Sequence, residues 1–272
     1  MEKKIKDKNI SVCMTTYFDK NFEKIGNICL KTLKVYAKKY GLDIRLYNNI
    51  KSNRPPAWNK ILLIQKLLQD KKDYDFVLWI DSDALIINFD KDIREEIESA
   101  KDLYLVKHFI KGREVPNTGS FLIRNSEWSR KFLADVWDKK EHIYNKWWEN
   151  AAVNELLGFK IEENKRKQFF LSWLYKLKIK NIVTNTINHL SLRKLVSKFS
   201  NETKSYSPIK TKIIESRLNK IKWLDKKWNS LPGVSESPNP IVNHYPAKPF
   251  EERLILMQRD LDKLKLFSGL SN

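Results

Sequence analysis

The chain is expected to fold as an α/β domain whose mixed, mostly parallel sheet is flanked by helices. Three observations carry this. Residues 9–16 (NISVCMTT), a helical apolar spacing at Ile25, Ile28, Cys29, Leu33 and Tyr36, and an extended run at Asp43–Tyr47 form one strand–helix–strand unit, which demands parallel pairing. The run FVLWI at Phe76–Ile80 is apolar without alternation, as a central strand covered on both faces must be. Finally, 42% hydrophobic and 12% aromatic residues supply a substantial core, and 272 residues suit one extended domain with embellishments.

Taken in order, the first strand gives way to a helix over 22–40 that stops at Gly41, and the second strand follows. Pro55-Pro56 breaks the chain ahead of a helix over 57–69, which mixes apolar and polar faces. Phe76–Ile80 then ends on Asp81-Ser82-Asp83. Further strands are expected at 103–108 (LYLVKH) and 120–124 (SFLIR), with helices at 128–137 and 147–157, the latter closed by Gly158. A Pro-rich turn region over 231–240, the stretch VNHYPAKPF and a terminal helix over 251–267 complete the chain, and no internal repeat is visible.

Charge is distributed unevenly. Of the net +19, +13 falls between Lys160 and Lys227, where 18 Lys/Arg face 5 Asp/Glu, so a local surface rather than the whole fold is basic. The two cysteines, Cys13 and Cys29, lie in a strand and an apolar helix face, where they read as small buried hydrophobes; neither a disulfide framework nor a zinc site is on offer. MEKKIKDKNI lacks an apolar segment behind its charges, and no run approaches the ~18–20 apolar residues of a membrane span. The expectation is a cytoplasmic protein, peripheral at the inner membrane face if its basic stretch meets lipid.

Two carboxylates crowded at the end of a buried strand repel unless a cation lies between them. A divalent metal resolves the repulsion, and hard oxygen ligands suit Mn²⁺ or Mg²⁺ bridging a diphosphate. Strand carboxyl ends are also where open α/β sheets bind ligands. Alone, the D-x-D spacing is a weak signal, with a solvated turn or helix cap as the plain alternative.

Its surroundings sharpen it. WIDSDALIIN, with WNK about twenty residues upstream and NTGSFLIRNSEW downstream, resembles the Golgi galactosyl-, mannosyl- and xylosyltransferase family of fungi and plants, retaining enzymes of the GT-A (Rossmann-like) fold. More loosely, the chain is similar to the retaining glycogenin and lipooligosaccharide galactosyltransferase group. The resemblance covers roughly 10–157 and 223–250 and fails across the basic stretch between. It implies a single GT-A catalytic domain over 1–250, with 160–222 as a basic helical insertion or lobe, and a C-terminal helix over 251–272.

Carried over by position, the resemblance makes Asp83 a direct metal ligand, places Asp81 on metal and ribose, and leaves Ser82 between them at the donor. His244 in VNHYPAKPF would complete the metal shell, and Lys248 would grip the donor diphosphate, although the glycine expected between them is missing. Asn117 and Gly119 match an N-x-G element ahead of the strand carrying FLIRN, with a simple turn glycine as the alternative. Trp147-Trp148-Glu149-Asn150 falls at a W-x-D/E-Q element facing the donor sugar; here Asn replaces Gln, which leaves Glu149 as sugar ligand or charge stabiliser unless it is an ordinary exposed helix residue. Thr15, Thr16 and Tyr17 would face the nucleotide. Lys60 would reach the donor, although by composition alone a helix-surface lysine describes it.

The resemblance thus implies retaining transfer of a hexosyl or pentosyl unit from a nucleotide-diphosphate sugar, UDP favoured over GDP, to a glycan or glycolipid acceptor, as in polysaccharide biosynthesis. With no obvious nucleophile, front-face displacement is the expected route. The aromatic and basic stretch within 165–200 fits an anionic membrane surface, or equally a helix whose lysines face water. A basic nucleic-acid or polyanion-binding protein is the alternative from charge alone, but helix-turn-helix, zinc-ligand and RNP signatures are missing, and no specific nucleic acid is expected. An inactive homologue is the third reading, favoured by Asn150 and the missing glycine.

Overall fold

A computed structural model describes residues 10–47, 50, 52–110, 112–159 and 211–268. The main sheet has six strands in the order β2-β1-β3-β6-β5-β7: β1 (Val12–Thr16), β2 (Asp43–Leu46), β3 (Phe76–Ile80), β5 (Leu103–Ile110), β6 (Arg113–Arg124) and β7 (Ile221–Leu224). β1 pairs in parallel with β2 and β3, and β5 with β7, whereas β6 runs antiparallel to both of its neighbours. A two-stranded antiparallel ribbon, β4 (Ala84–Ile86) with β8 (Val242–His244), stands beside it.

Strand alternation divides the core into two layers. In β3, Phe76, Leu78 and Ile80 face one layer and Val77 and Trp79 the other, all at most 2% exposed, so the unbroken apolar run is covered on both faces as expected. Helix α1 (Glu23–Tyr40) covers the first face through Ile25, Ile28, Cys29, Leu33 and Tyr36, and ends on Gly41 at φ 65, a left-handed cap that glycine adopts without a Cβ penalty. The C-terminal helix α6 (Phe250–Ser268) adds Met257 and Leu261 to the same layer and is part of this core. On the opposite face lie α2 (Asn59–Leu67), α3 (Glu127–Asp138) and α4 (Trp148–Leu156). The helix α5 (Lys212–Leu218) leads into β7.

Three expectations need correction. β6 begins at Arg113 rather than 120, so Asn117 and Gly119 lie within a strand and not ahead of it. Pro116 does not break it, because Asn154 Nδ2 donates to the Pro116 carbonyl at 2.9 Å; the missing N–H points to that same side, away from the β5 ladder. Second, the basic insertion ends earlier than 222. Ile221 and Lys222 pair with Leu103 and Tyr104, and Arg217 Nη2 meets Asp135 at 2.7 Å, which ties α5 and β7 to the sheet domain. Third, β4, β7 and β8 escaped the sequence reading, being strands of three or four residues with no visible period. The rest of the insertion, including the 165–200 stretch, lies outside the described residues. Among the described residues, no helix is long and apolar enough to cross a membrane.

Candidate metal and donor site

The site forms at the carboxyl end of β3, beside the parallel strand β1. Asp81–Ala84 makes a tight turn, with the Ala84 N–H donating to the Asp81 carbonyl at 3.0 Å, and the turn feeds β4. Because β4 pairs with β8, Ala84 stands opposite His244, and the Tyr245 N–H donates to the Asp83 carbonyl at 3.0 Å. Residues 160 apart in sequence thereby converge. His244 Nε2 is 3.4 Å from Asp83 Oδ1 and 3.7 Å from Asp81 Oδ2. One ligand atom from each of Asp81, Asp83 and His244 lies within 4.8 Å of the others. Ser82 is half-buried between the two aspartates.

The histidine is fixed from behind. Asn229, fully buried, accepts at Oδ1 from His244 Nδ1 (3.0 Å) while its Nδ2 donates to Asn117 Oδ1 (2.9 Å). Asn117 Oδ1 also accepts from the Gly119 N–H at 2.8 Å. In the neutral imidazole a donating Nδ1 leaves Nε2 as the lone-pair nitrogen, and Nε2 is the atom turned to the carboxylates. Gly119 is required here by space rather than by a turn: a Cβ would lie 2.1 Å from His244 Cε1.

Asp81 is held equally firmly. Its Oδ1 accepts from Trp79 Nε1 (2.6 Å) and lies 2.9 Å from Lys60 Nζ, leaving Oδ2 to face His244. Lys60 is 4% exposed, which corrects the helix-surface description: beneath the site it links Asp81, Glu149 Oε1 (2.8 Å) and the Thr118 carbonyl (3.0 Å). Burial alone would lower its pKa, but the two carboxylates outweigh burial and hold Lys60 above the usual lysine range. Glu149 is likewise buried, not an exposed helix residue; burial, reinforced by Asp81, raises its pKa against the pull of Lys60. Its Oε2 has no hydrogen-bond partner. Asn150 Oδ1 accepts from the Thr118 N–H (3.0 Å) and hydroxyl (3.1 Å), so this amide oxygen holds β6 to α4.

Around Asp83 the sequence reading missed a cation. Arg253, on α6, places Nη1 3.3 Å from Asp83 Oδ2 and donates through Nη2 to the Lys248 carbonyl. Burial works to raise the Asp83 pKa, but His244 and Arg253 prevail and keep it well below the carboxylate range. Lys248 Nζ pairs with Glu252 at 2.9 Å. The missing glycine is answered by Ala247, which takes φ 58, the conformation a glycine would adopt there. Thr15 is fully buried, and its hydroxyl donates to the Arg45 carbonyl at 2.7 Å. Thr16 is buried beside it, while Tyr17 is half-buried with its ring against the second core layer. Asn229 and Arg253 carried no signal in the sequence, since each acts through a fold contact and belongs to no spaced motif, and Thr118 sits at the unspecified position of the N-x-G element.

A profile of the DUF273 family, described as protein of unknown function, matches residues 33–188, more than half of the chain. The chain belongs to DUF273. This DUF273 protein is 29% identical over 151 residues to an uncharacterized alpha-1,2-galactosyltransferase of Schizosaccharomyces pombe, covering 42% of this chain and 40% of the relative. It is 35% identical over 111 residues to xyloglucan 6-xylosyltransferase 1 of Arabidopsis thaliana, covering 38% and 23% respectively. The chain thus spans well under half the length of these curated relatives. Among solved structures, a glycosyltransferase involved in the glycosylation of the major capsid of PBCV-1 superposes with a TM-score of 0.60 at 12% identity, covering 92% of this chain and 99% of that one. That likeness shows the fold, which is GT-A as the sequence led us to expect.

Proposed function

We propose that this DUF273 protein is a metal-dependent, retaining glycosyltransferase. It moves a hexosyl or pentosyl unit from a nucleotide-diphosphate sugar, UDP in preference to GDP, to a glycan or glycolipid. The observation that carries the reading is the convergence of Asp81 Oδ2, Asp83 Oδ1 and His244 Nε2 at a strand carboxyl end, with His244 fixed in its metal-binding tautomer by Asn229. The names of the curated relatives support it.

Two carboxylate oxygens and one imidazole nitrogen suit Mn²⁺ better than Mg²⁺, which prefers oxygen alone. Bound there, the ion would neutralise charge on a departing diphosphate. The chain's own groups do the rest. Lys60 fixes Asp81 and Glu149 so that neither swings when substrate enters. Lys248 would turn from Glu252 to a phosphate oxygen, and the unpartnered Glu149 Oε2 is an acceptor for a sugar hydroxyl. Ser82 and Tyr17, both half-buried, would line the approach. With Asn150 Oδ1 engaged by Thr118, the acceptor hydroxyl is expected to attack from the face the diphosphate leaves, giving its proton to the departing phosphate.

A thermal-shift panel of UDP- and GDP-sugars with and without Mn²⁺ tests this, because a ligand that binds only the native state raises Tm by mass action. A manganese-dependent shift with one nucleotide class, lost in Asp83→Asn, is expected. No shift with any donor would reject the reading.

A further inference from the structure

We infer that Trp148 is a platform for a pyranose ring, the acceptor sugar, set beside the donor site; the assignment to an acceptor rests on the function proposed above, whereas the platform itself rests on Trp148 alone. Among the described residues, Trp148 is one of six large apolar side chains left open to solvent, at 43% exposure. It also stands at φ 46, a left-handed backbone that a bulky L-residue adopts only under constraint. Strain of this kind persists where neighbouring contacts over-determine it, and it gathers at functional sites.

Those contacts are visible. Asn145, 2% exposed, accepts at its carbonyl from the Trp148 N–H (3.0 Å) and at Oδ1 from the Trp147 N–H (2.8 Å). The Trp147 carbonyl accepts from the Asn150 N–H at 3.0 Å, and Arg113 caps the Trp147 ring at 5.8 Å. Trp147 and Asn145 are thus held in place, and the chain turns at Trp148. The turn sends the next two side chains inward, Glu149 to Lys60 and Asn150 to Thr118, and leaves the indole outside. The Trp148 Cα is therefore about 3.8 Å from the Cα of Glu149, whose carboxylate borders the donor site.

An indole face is electron-rich, and a pyranose presents C–H bonds of slight positive charge on its less hydroxylated face; the two stack without needing hydrogen bonds to the ring. Neutral sugar chemistry fits Trp148 itself, which offers no charge to a phosphate or carboxylate.

The test is saturation-transfer NMR of the full chain with xylo-, galacto-, manno- and malto-oligosaccharides, each with and without UDP and Mn²⁺. Trp148→Phe keeps a ring, and Trp148→Asn removes it while tolerating the left-handed backbone. The expected result is oligosaccharide binding that weakens about tenfold in Trp148→Asn, survives in Trp148→Phe, and is accompanied by unchanged UDP–Mn²⁺ binding in both. Equal binding by Trp148→Asn, or no oligosaccharide bound by the wild-type chain, overturns the platform. The UDP–Mn²⁺ arm judges the donor reading separately, since Trp148-dependent sugar binding without UDP binding would uphold the platform and reject the donor site.

Discussion

Asn229 Oδ1 lies 3.0 Å from His244 Nδ1, and no other described side chain meets that nitrogen. The contact decides which imidazole nitrogen carries the lone pair. Replacing Asn229 with Leu should leave the sheet intact and lower Mn²⁺ affinity by about 10–100-fold, the usual consequence of losing the group behind a metal-binding histidine. Titration of Mn²⁺ by electron paramagnetic resonance reads this directly. An unchanged affinity would mean that Asn229 does not orient the ring.

Gly119→Ala attacks the same imidazole from the other side. Its Cβ would fall 2.1 Å from His244 Cε1 and 2.3 Å from Nδ1, so the ring must move. We expect Mn²⁺ affinity to drop by at least about tenfold while the circular-dichroism spectrum is retained. Should the variant bind Mn²⁺ as wild type does, His244 is not a ligand.

Lys60 is the cation between two carboxylates; its side chain is 4% exposed and that of Glu149 5%, so water screens this pair poorly, while Asp81 is 25% exposed. Removing one partner of such a buried group costs about 3–5 kcal/mol, because the others are left uncompensated. Lys60→Met should therefore be strongly destabilised in urea titrations. Adding Glu149→Gln removes one orphaned charge, so the double variant should lose less than the sum of the single losses, with a coupling of about 0.5–3 kcal/mol. Strict additivity would show the pair to be energetically independent.

What the sequence disclosed divides along a physical line. Elements carried by local period were readable: the alternation-free β3 and the apolar stripe of α1 fall close to where their residues place them. The acidic pair was readable because a charge cluster after an apolar run is anomalous by itself. Contacts made through tertiary geometry were not. Nothing in WNKIL says that Lys60 is buried under Asp81, since a lysine on a helix is ordinarily solvated. Asn229 reaches His244 because its neighbour Ser230 bridges β8 at Asn243, with the His244 N–H donating to the Ser230 carbonyl at 2.8 Å, an isolated pairing with no pattern of its own. Gly119 read as part of an N-x-G element or as a simple turn glycine, whereas the space at its missing Cβ is taken by the His244 imidazole.

His108 gives the last prediction, and it concerns stability rather than transfer. The side chain is 1% exposed on β5, and neither ring nitrogen has a hydrogen-bond partner. Burial, aided by His244 and Lys226, pushes its pKa down from 6.5 to about 4. In the unfolded chain it titrates near 6.5, so between about pH 6.5 and 4 the unfolded state binds a proton that the folded state refuses. Stability from this residue is thus present above pH 6.5 and falls as the pH drops toward 4, by about 3 kcal/mol at the lower end, where one pKa unit is about 1.36 kcal/mol. His108→Phe removes both the titration and two unsatisfied polar atoms while keeping a ring of similar shape. Urea denaturation at pH 7 and pH 4.5 should show the variant nearly as stable as wild type at neutral pH and more stable in acid. Equal acid sensitivity in the two chains would assign the loss to other groups.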